Sequence, residues 1–181
     1  DLFGAVGRVM HVRPGVLILG ISLPCFWAGL AAGEGFRLRL AQAAGVPVST
    51  ADAACLAALD KLGRPRRLGI LTPFRDVANA RIAAFFAEAG QDAVVRTTGA
   101  ASNLHIAHTS SETLIAGLHA LADDGCGLVL QLGTNLASTR VAEEAQRWLG
   151  LRCLPINALL YRQALRLAGI KDAVPGCDDL D

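Results

Sequence analysis

Two short stretches carry the residue types from which a binding site could be built. Gly20-Ile21-Ser22-Leu23 follows the apolar run Val16–Leu19, and Gly133-Thr134-Asn135-Leu136 follows the apolar run Leu128–Leu132. In each, a glycine and small polar residues stand where strand-like sequence gives way to helical spacing. At such a corner, backbone N–H groups point outward with the positive end of a helix dipole behind them. That geometry holds a carboxylate or an enolate oxygen. Ser22, Thr134 and Asn135 add side-chain donors. Ser, Thr and Asn also cap helices without any ligand, and it is the occurrence of the pattern twice, on strands of like character, that points to a site.

Other reactive residues are sparse. Of the cysteines at 25, 55, 126, 153 and 177, only Cys25 lies near a corner. At the start of the following helix its thiol pKa would be lowered; between Pro24 and Phe26 it also reads as a packed apolar residue. An odd cysteine count without a Cys-x-x-Cys pair argues against a disulfide framework or a zinc site. His105 and His108 would share a helical face but lack a third ligand, so no metal is expected. Arg64-Pro65-Arg66-Arg67 reads as a solvated turn, and Gly33-Glu34-Gly35 is too short for a nucleotide loop.

The bulk composition narrows the partners. The formal net charge is +1, from 17 basic and 16 acidic residues spread along the chain, which argues against nucleic acid. Hydrophobic residues make up 52% of the chain. The longest apolar stretch, 16–32, is broken by Gly20, Pro24 and Gly29 and falls short of the roughly 20 residues of a membrane span. No charged-then-apolar leader opens the chain, and a cytoplasmic protein with no membrane contact is expected. The apolar composition is compatible with a homodimer.

Strand and helix patterns alternate throughout, which implies an α/β fold with parallel sheets. Residues 1–12 read as a helix and 16–19 as a buried strand. A helix over about 26–44, weakened at 33–35, ends at Gly45. A strand at 46–49 leads to a helix over 51–62, with Ser49 or Thr50 as its cap. Beyond a boundary at 63–66 come strands at 68–71, 93–95, 128–132 and 152–156, and helices at 77–89, 111–122, 137–149 and 157–168. The order of strand, glycine corner, helix, glycine, Val-Pro-Val or Leu-Pro-Ile strand and closing helix occurs twice. It implies two like halves, 1–63 with 157–181 and 64–156, facing each other across a cleft.

Several of these stretches, taken together, carry a resemblance. They are Gly20-Ile-Ser22-Leu-Pro-Cys25-Phe26-Trp27, Leu71-Thr72-Pro73-Phe74 with Asn79, Gln131-Leu-Gly133-Thr134-Asn135-Leu136, and Leu154-Pro155-Ile156-Asn157 with Leu165-Arg166-Leu167-Ala168-Gly169. The chain resembles the aspartate/glutamate racemase superfamily, in the branch of maleate cis-trans isomerases, arylmalonate decarboxylases and the racemase-like proteins of ectoine utilisation. It is most similar to the last, which share Ser-Leu-x-x-Phe-Trp and Gly-Thr-Asn-Leu corners. The resemblance implies two pseudo-symmetric Rossmann-like halves, no cofactor, and cysteines at one or both corners acting on a small carboxylate or dicarboxylate.

Carried over residue by residue, the family's two cysteine positions fall on Gly20 and Gly133. Its corner tyrosine falls on Phe74, its carboxylate-holding loop asparagine on Asn103, and Ser22 and Thr134 flank the cysteine positions. Both thiols are thus replaced by glycine, and a phenyl ring replaces a hydrogen-bond donor. The family's first strand has no match, and the chain opens in a helical pattern without a methionine, so an upstream strand is expected to be missing. The leading expectation is an isomerase, racemase or decarboxylase-like protein working through an enediolate-type intermediate, with Cys25 as the only thiol candidate. The alternatives are a carboxylate-binding protein without chemistry, and an interaction module using apolar surface left by the missing strand.

Overall fold

The structure is a computed structural model that describes residues 1–177 and 180. The chain begins with α1 (Leu2–Val9) and a 3-10 turn, followed by β1 (Leu17–Ile18), α2 (Leu23–Phe26), α3 (Leu30–Ala44), β2 (Val48–Ser49) and α4 (Ala51–Leu62). It continues with β3 (Leu68–Thr72), α5 (Asp76–Glu88), β4 (Ala93–Thr97), α6 (Asn103–Ala107), α7 (Ser111–Asp123), β5 (Leu128–Gln131), α8 (Thr139–Leu149), β6 (Arg152–Pro155) and α9 (Ile156–Leu167). Among the described residues the strands form two parallel sheets, one of β1 and β2 and one in the order β4-β3-β5-β6. The expected α/β class with parallel sheets is the one observed.

The two central strands of the four-stranded sheet are covered on both faces, as in a parallel sheet flanked by helices: every residue of β3 and β5 is buried, while Arg96 and Thr97 of the edge strand β4 are exposed. The short sheet departs from expectation. β1 is two residues long and half-open, with Ile18 43% exposed, because β2 covers only one of its edges. The helix α9 leaves β6 and packs on α4 and β2. Phe26 of α2 meets Phe85 and Phe86 of α5 with ring centroids 5.0 and 5.8 Å apart. Each buried phenyl contributes about 1.5–3 kcal/mol, so this cluster ties the corner after β1 to the second half of the chain.

The helix expected over 26–44 begins only at Leu30: Phe26 closes the separate α2, and the turn between them holds Gly29, whose φ is +88°. A Cβ there would lie 2.7 Å from a carboxylate oxygen of Glu88. The same carboxylate accepts a 2.9 Å hydrogen bond from the Leu30 N–H, capping α3 from the far end of α5. Gly33, in contrast, does not interrupt α3. Its missing side chain lets the helix approach Asp52 Oδ2 and the Cys25 carbonyl, which a Cβ would meet at 2.6 and 2.9 Å. The loop over 97–109 contains α6, capped by the Ser102 hydroxyl.

Candidate functional site

The corners after β1, β3 and β5 converge on one cleft of about 340 Å³. Gly20, Ser22, Phe74, Asn103, Gly133, Thr134 and Asn135 all line it. The Thr72-Pro73-Phe74 corner is held rigidly from below. Thr72 Oγ1 donates to Asn79 Oδ1 at 2.6 Å and accepts from the Phe74 N–H at 3.2 Å. The Phe74 carbonyl accepts from Asn79 Nδ2 at 3.0 Å and Thr97 Oγ1 at 2.8 Å. Beneath the Gly133 corner, buried Gln131 accepts from Ser138 Oγ at 2.6 Å and donates to the Gly133 carbonyl at 3.2 Å. Reading the residues alone gave Asn79, Gln131 and Ser138 no such roles, although a buried glutamine at the end of an apolar strand is a signal that it must be satisfied locally.

The side-chain donors expected to hold a ligand are largely spent on the scaffold. Thr134 Oγ1 donates to the Gly20 carbonyl at 2.8 Å, bridging the two corners directly. Asn135 Nδ2 donates to the Asn103 carbonyl at 2.8 Å, and Asn157 Nδ2 to the Thr134 carbonyl at 3.0 Å. Ser22 is 2% exposed and its hydroxyl does not cap α2. What remains for a ligand is backbone: among the described residues, the N–H groups of Gly20, Ile21, Thr134 and Asn135 have no hydrogen-bond partner. The helix behind the second corner starts only at Thr139, so the loop itself, rather than the end of α8, presents those N–H groups.

The two corners are also out of phase by one residue. Leu19 N–H bonds to Ser49 of β2, whereas Leu132 N–H bonds to Leu71 of β3, the opposite edge of its strand. Counting back from the closing helices gives the same result: β1 residues 17 and 18 pair with 48 and 49, three and two before α4, and β5 residues 129 and 130 pair with 153 and 154, three and two before α9. Ladder hydrogen bonds alternate sides along a strand, so Gly20 matches Leu132 and Ser22 matches Thr134. Gly133 stands where the first half has Ile21.

Cys25 does not line the cleft. It is 1% exposed, with its Sγ directed at the Ile21 carbonyl 3.7 Å away. Burial, and secondarily the charge of Asp52, push its pKa up to about 11, opposite to the expected lowering at a helix start. The one-turn α2 is too short to supply that field against the cost of desolvating a thiolate. Among the described residues, no titratable side chain lines the cleft. His105 faces Ser102, Nδ1 to Oγ 2.7 Å, on exposed α6. Among the described residues, no three His, Cys, Asp or Glu side chains are grouped to hold a metal ion. A wider groove of about 1020 Å³ runs between α4 and α9, past Lys61, Arg162, Arg166 and Lys171. It shares no lining residue with the cleft at the corners. Convergent donors, not volume, single out the smaller cleft. Among the described residues no helix is long and apolar enough to cross a membrane.

Comparison with known proteins gives concordant matches. The family model described as arylmalonate decarboxylase matches residues 12–144. An arylmalonate decarboxylase of Bordetella bronchiseptica is 30% identical over 161 residues, covering 85% of this chain and 65% of that protein. The chain therefore spans just under two thirds of that relative's length. A crystal structure of arylmalonate decarboxylase superposes with a TM-score of 0.86 at 24% identity, covering 97% of this chain and 78% of the other. A maleate cis-trans isomerase of Nocardia farcinica, with a covalently bound succinylcysteine intermediate, superposes with a TM-score of 0.87 at 18% identity, covering 96% and 74%.

Proposed function

The chain belongs to the arylmalonate decarboxylase family, and we propose that its cleft binds a small carboxylate or dicarboxylate and stabilises an enediolate-type intermediate without a cofactor. The relatives support an isomerase- or decarboxylase-like function. The observation that carries the reading is that residues from two corners whose N–H groups have no partner among the described residues, Gly20, Ile21, Thr134 and Asn135, line one small cleft. Preorganised donors of this kind stabilise a developing oxyanion without reorganisation at the moment of reaction.

Decarboxylation asks least of such a cleft. The bond from the α-carbon to the departing carboxylate breaks, CO₂ leaves, and the electron pair passes into the remaining carboxyl group as an enediolate. The N–H groups stabilise that charge, and water returns a proton to carbon. Racemisation or isomerisation through proton abstraction needs a base, and none lines the cleft among the described residues. The Ser22-Leu23, Phe26-Trp27 and Gly133-Thr134-Asn135-Leu136 corners support a place near the racemase-like proteins of ectoine utilisation. The lack of a titratable group also favours a second reading, a receptor for carboxylates without chemistry.

Calorimetric titration with malonates and other small dicarboxylates, joined to NMR in deuterated water, tests both. Binding followed by CO₂ loss and deuterium at the α-carbon is the expected result. Binding without either would leave the receptor, and no binding of any carboxylate would overturn the assignment of the cleft.

A further inference from the structure

The N–H and the carbonyl of one peptide point in opposite directions, because the unit is planar and trans. A side chain that holds the carbonyl therefore aims the N–H. Two of the unpartnered N–H groups at the second corner are aimed in this way. Residues 133–136 form a tight turn, closed by the Leu136 N–H on the Gly133 carbonyl at 3.0 Å, with Thr134 and Asn135 as its central residues. Gln131 Nε2 holds the Gly133 carbonyl from beneath, so the Thr134 N–H faces outward. Asn157 Nδ2, on the first turn of α9, holds the Thr134 carbonyl at 3.0 Å. β5 lies between β3 and β6, and α9 follows β6 directly. The Asn135 N–H, opposite to a carbonyl held from the β6 side, thus points to the β3 side, where Pro73 and Phe74 wall the cleft.

The central peptide of such a turn can rotate alone. Half a rotation of the Thr134–Asn135 peptide exchanges a type I for a type II turn, altering ψ of the first central residue and φ of the second while the closing hydrogen bond stays. The rotated form needs a positive φ at the second position, which asparagine tolerates more readily than most residues. Asn135 has a negative φ as the turn stands, since among the described residues Arg13 is the only non-glycine with a positive one. Rotation would leave the Gln131 bond to the Gly133 carbonyl in place. It would also turn the Thr134 carbonyl toward the cleft, an acceptor where a donor now stands.

We propose that Asn157 is a positioning residue: its amide locks the Thr134–Asn135 peptide with the N–H toward the cleft, and so decides whether that point of the second corner offers an anion a donor or an acceptor. The role toward a ligand rests on the carboxylate reading of the cleft; the lock itself does not. Asn157 is absent from the cleft lining, so it acts through the turn and not by touching a ligand. It is exposed, whereas α9 is buried through Ile156, Ala158, Leu159, Leu160 and Ala164. Substitution at 157 therefore spares the core. The carbonyl that Asn157 holds also polarises its own peptide, which strengthens the N–H as a donor.

The test compares the wild type with Asn157→Leu, which keeps the approximate shape without a donor, and Asn157→Asp, which puts an acceptor where the donor was. In the ligand-free protein, nuclear Overhauser contacts of the Asn135 N–H read the orientation of the peptide. The contact is strong to the Thr134 N–H as the turn stands and strong to the Thr134 Hα after rotation. The wild type should show the first pattern and Asn157→Asp the second, because its carboxylate accepts from the rotated N–H. Phenylmalonate is then titrated into each protein. The Asn135 amide proton should move downfield in the wild type, and affinity should fall about tenfold or more in Asn157→Leu, which adds no charge. An unchanged contact pattern in Asn157→Asp overturns the proposal. So does equal phenylmalonate affinity in the wild type and Asn157→Leu. Failure of the wild type to bind phenylmalonate or any other small dicarboxylate overturns the carboxylate reading and the role of Asn157 toward a ligand with it, whatever the contact pattern.

Discussion

At Gly20 a Cβ would meet nothing within 4 Å, and the backbone is one that any residue can adopt. At Gly133 the φ is +117°, and a Cβ would lie 2.6 Å from Pro73 Cδ and 2.7 Å from Pro73 Cγ. One corner has room for a side chain. The other is built around the absence of one, because the Thr72-Pro73-Phe74 corner closes over it. The resemblance placed a lost cysteine at both positions, yet only the first could hold a thiol without rebuilding its neighbours. The in-phase partner of Gly20, Leu132, is fully buried and already filled by an apolar side chain. A two-thiol cleft is thus one substitution away on one side and a backbone rearrangement away on the other.

The largest effect should follow from reversing these two glycines. Gly133→Ala combines a left-sided φ with a clash against a proline ring and should cost about 2–4 kcal/mol. Gly20→Ala should change stability by less than about 0.5 kcal/mol. Urea unfolding of both variants measures the contrast. Pro73→Ala in the Gly133→Ala background should recover part of the loss, since it removes the clash and not the strain at φ. Equal losses at the two glycines would erase the distinction between the corners.

Next in size is the bridge between them. Thr134→Val keeps the shape and removes the hydrogen bond to the Gly20 carbonyl. The expected loss is about 0.5–1.5 kcal/mol, because Gly20 is exposed and water can take over as donor. Carboxylate affinity should fall as well, since the bridge fixes the spacing of the N–H groups on either side. A Thr134→Ser variant retains the hydroxyl and should keep most of the affinity. If Ser and Val behave alike, the bridge does not set the cleft.

Much of this architecture was legible in the residues, and what was not has a common cause. The helix over 51–62 and strand β3 stand where their periodicity put them, because apolar spacing and a terminal glycine are local signals. The glycine corners were readable for the same reason, whereas Phe74 and Asn103, which also line the cleft, came from the resemblance and not from local signals. The turn at Gly29 was not, because it depends on a carboxylate 58 positions away. Nor was the one-residue phase shift between the corners, which is set by which neighbouring strand each N–H meets. The sequence motif Gly-x-(Ser/Asn)-Leu aligned the two glycines and so concealed that Ser22 and Thr134 are the matched pair. β1 reads as a buried strand from its residues, yet Ile18 is 43% exposed, since among the described residues only β2 pairs with it.

The smallest effect at neutral pH belongs to Cys25, and it sharpens the comparison from the side of the Gly20 corner. A thiol five positions from that corner invites the view that the lost function moved along the helix. Its burial, and a pKa pushed up to about 11 by desolvation and by Asp52, argue the reverse. Cys25→Ala should leave any turnover of a carboxylate unchanged. Alkylation of Cys25 at pH 8 should run about 100-fold slower than for an unfolded thiol, because the thiolate is that much scarcer. The sign of the pH dependence follows from the same burial. The folded protein holds this proton more tightly than the unfolded chain does, so the stabilisation is complete below pH 9, the ordinary thiol value, and is lost as pH rises from 9 towards 11. Cys55 and Cys153, pushed in the same direction by burial, add to that loss. Thermal melting between pH 7 and 11 should therefore be flat to about pH 9 and fall beyond it, with a shallower fall in Cys25→Ala. A steep loss already at pH 7, or rapid alkylation in the folded state, would return Cys25 to the cleft and make the Gly20 corner a relocated thiol site.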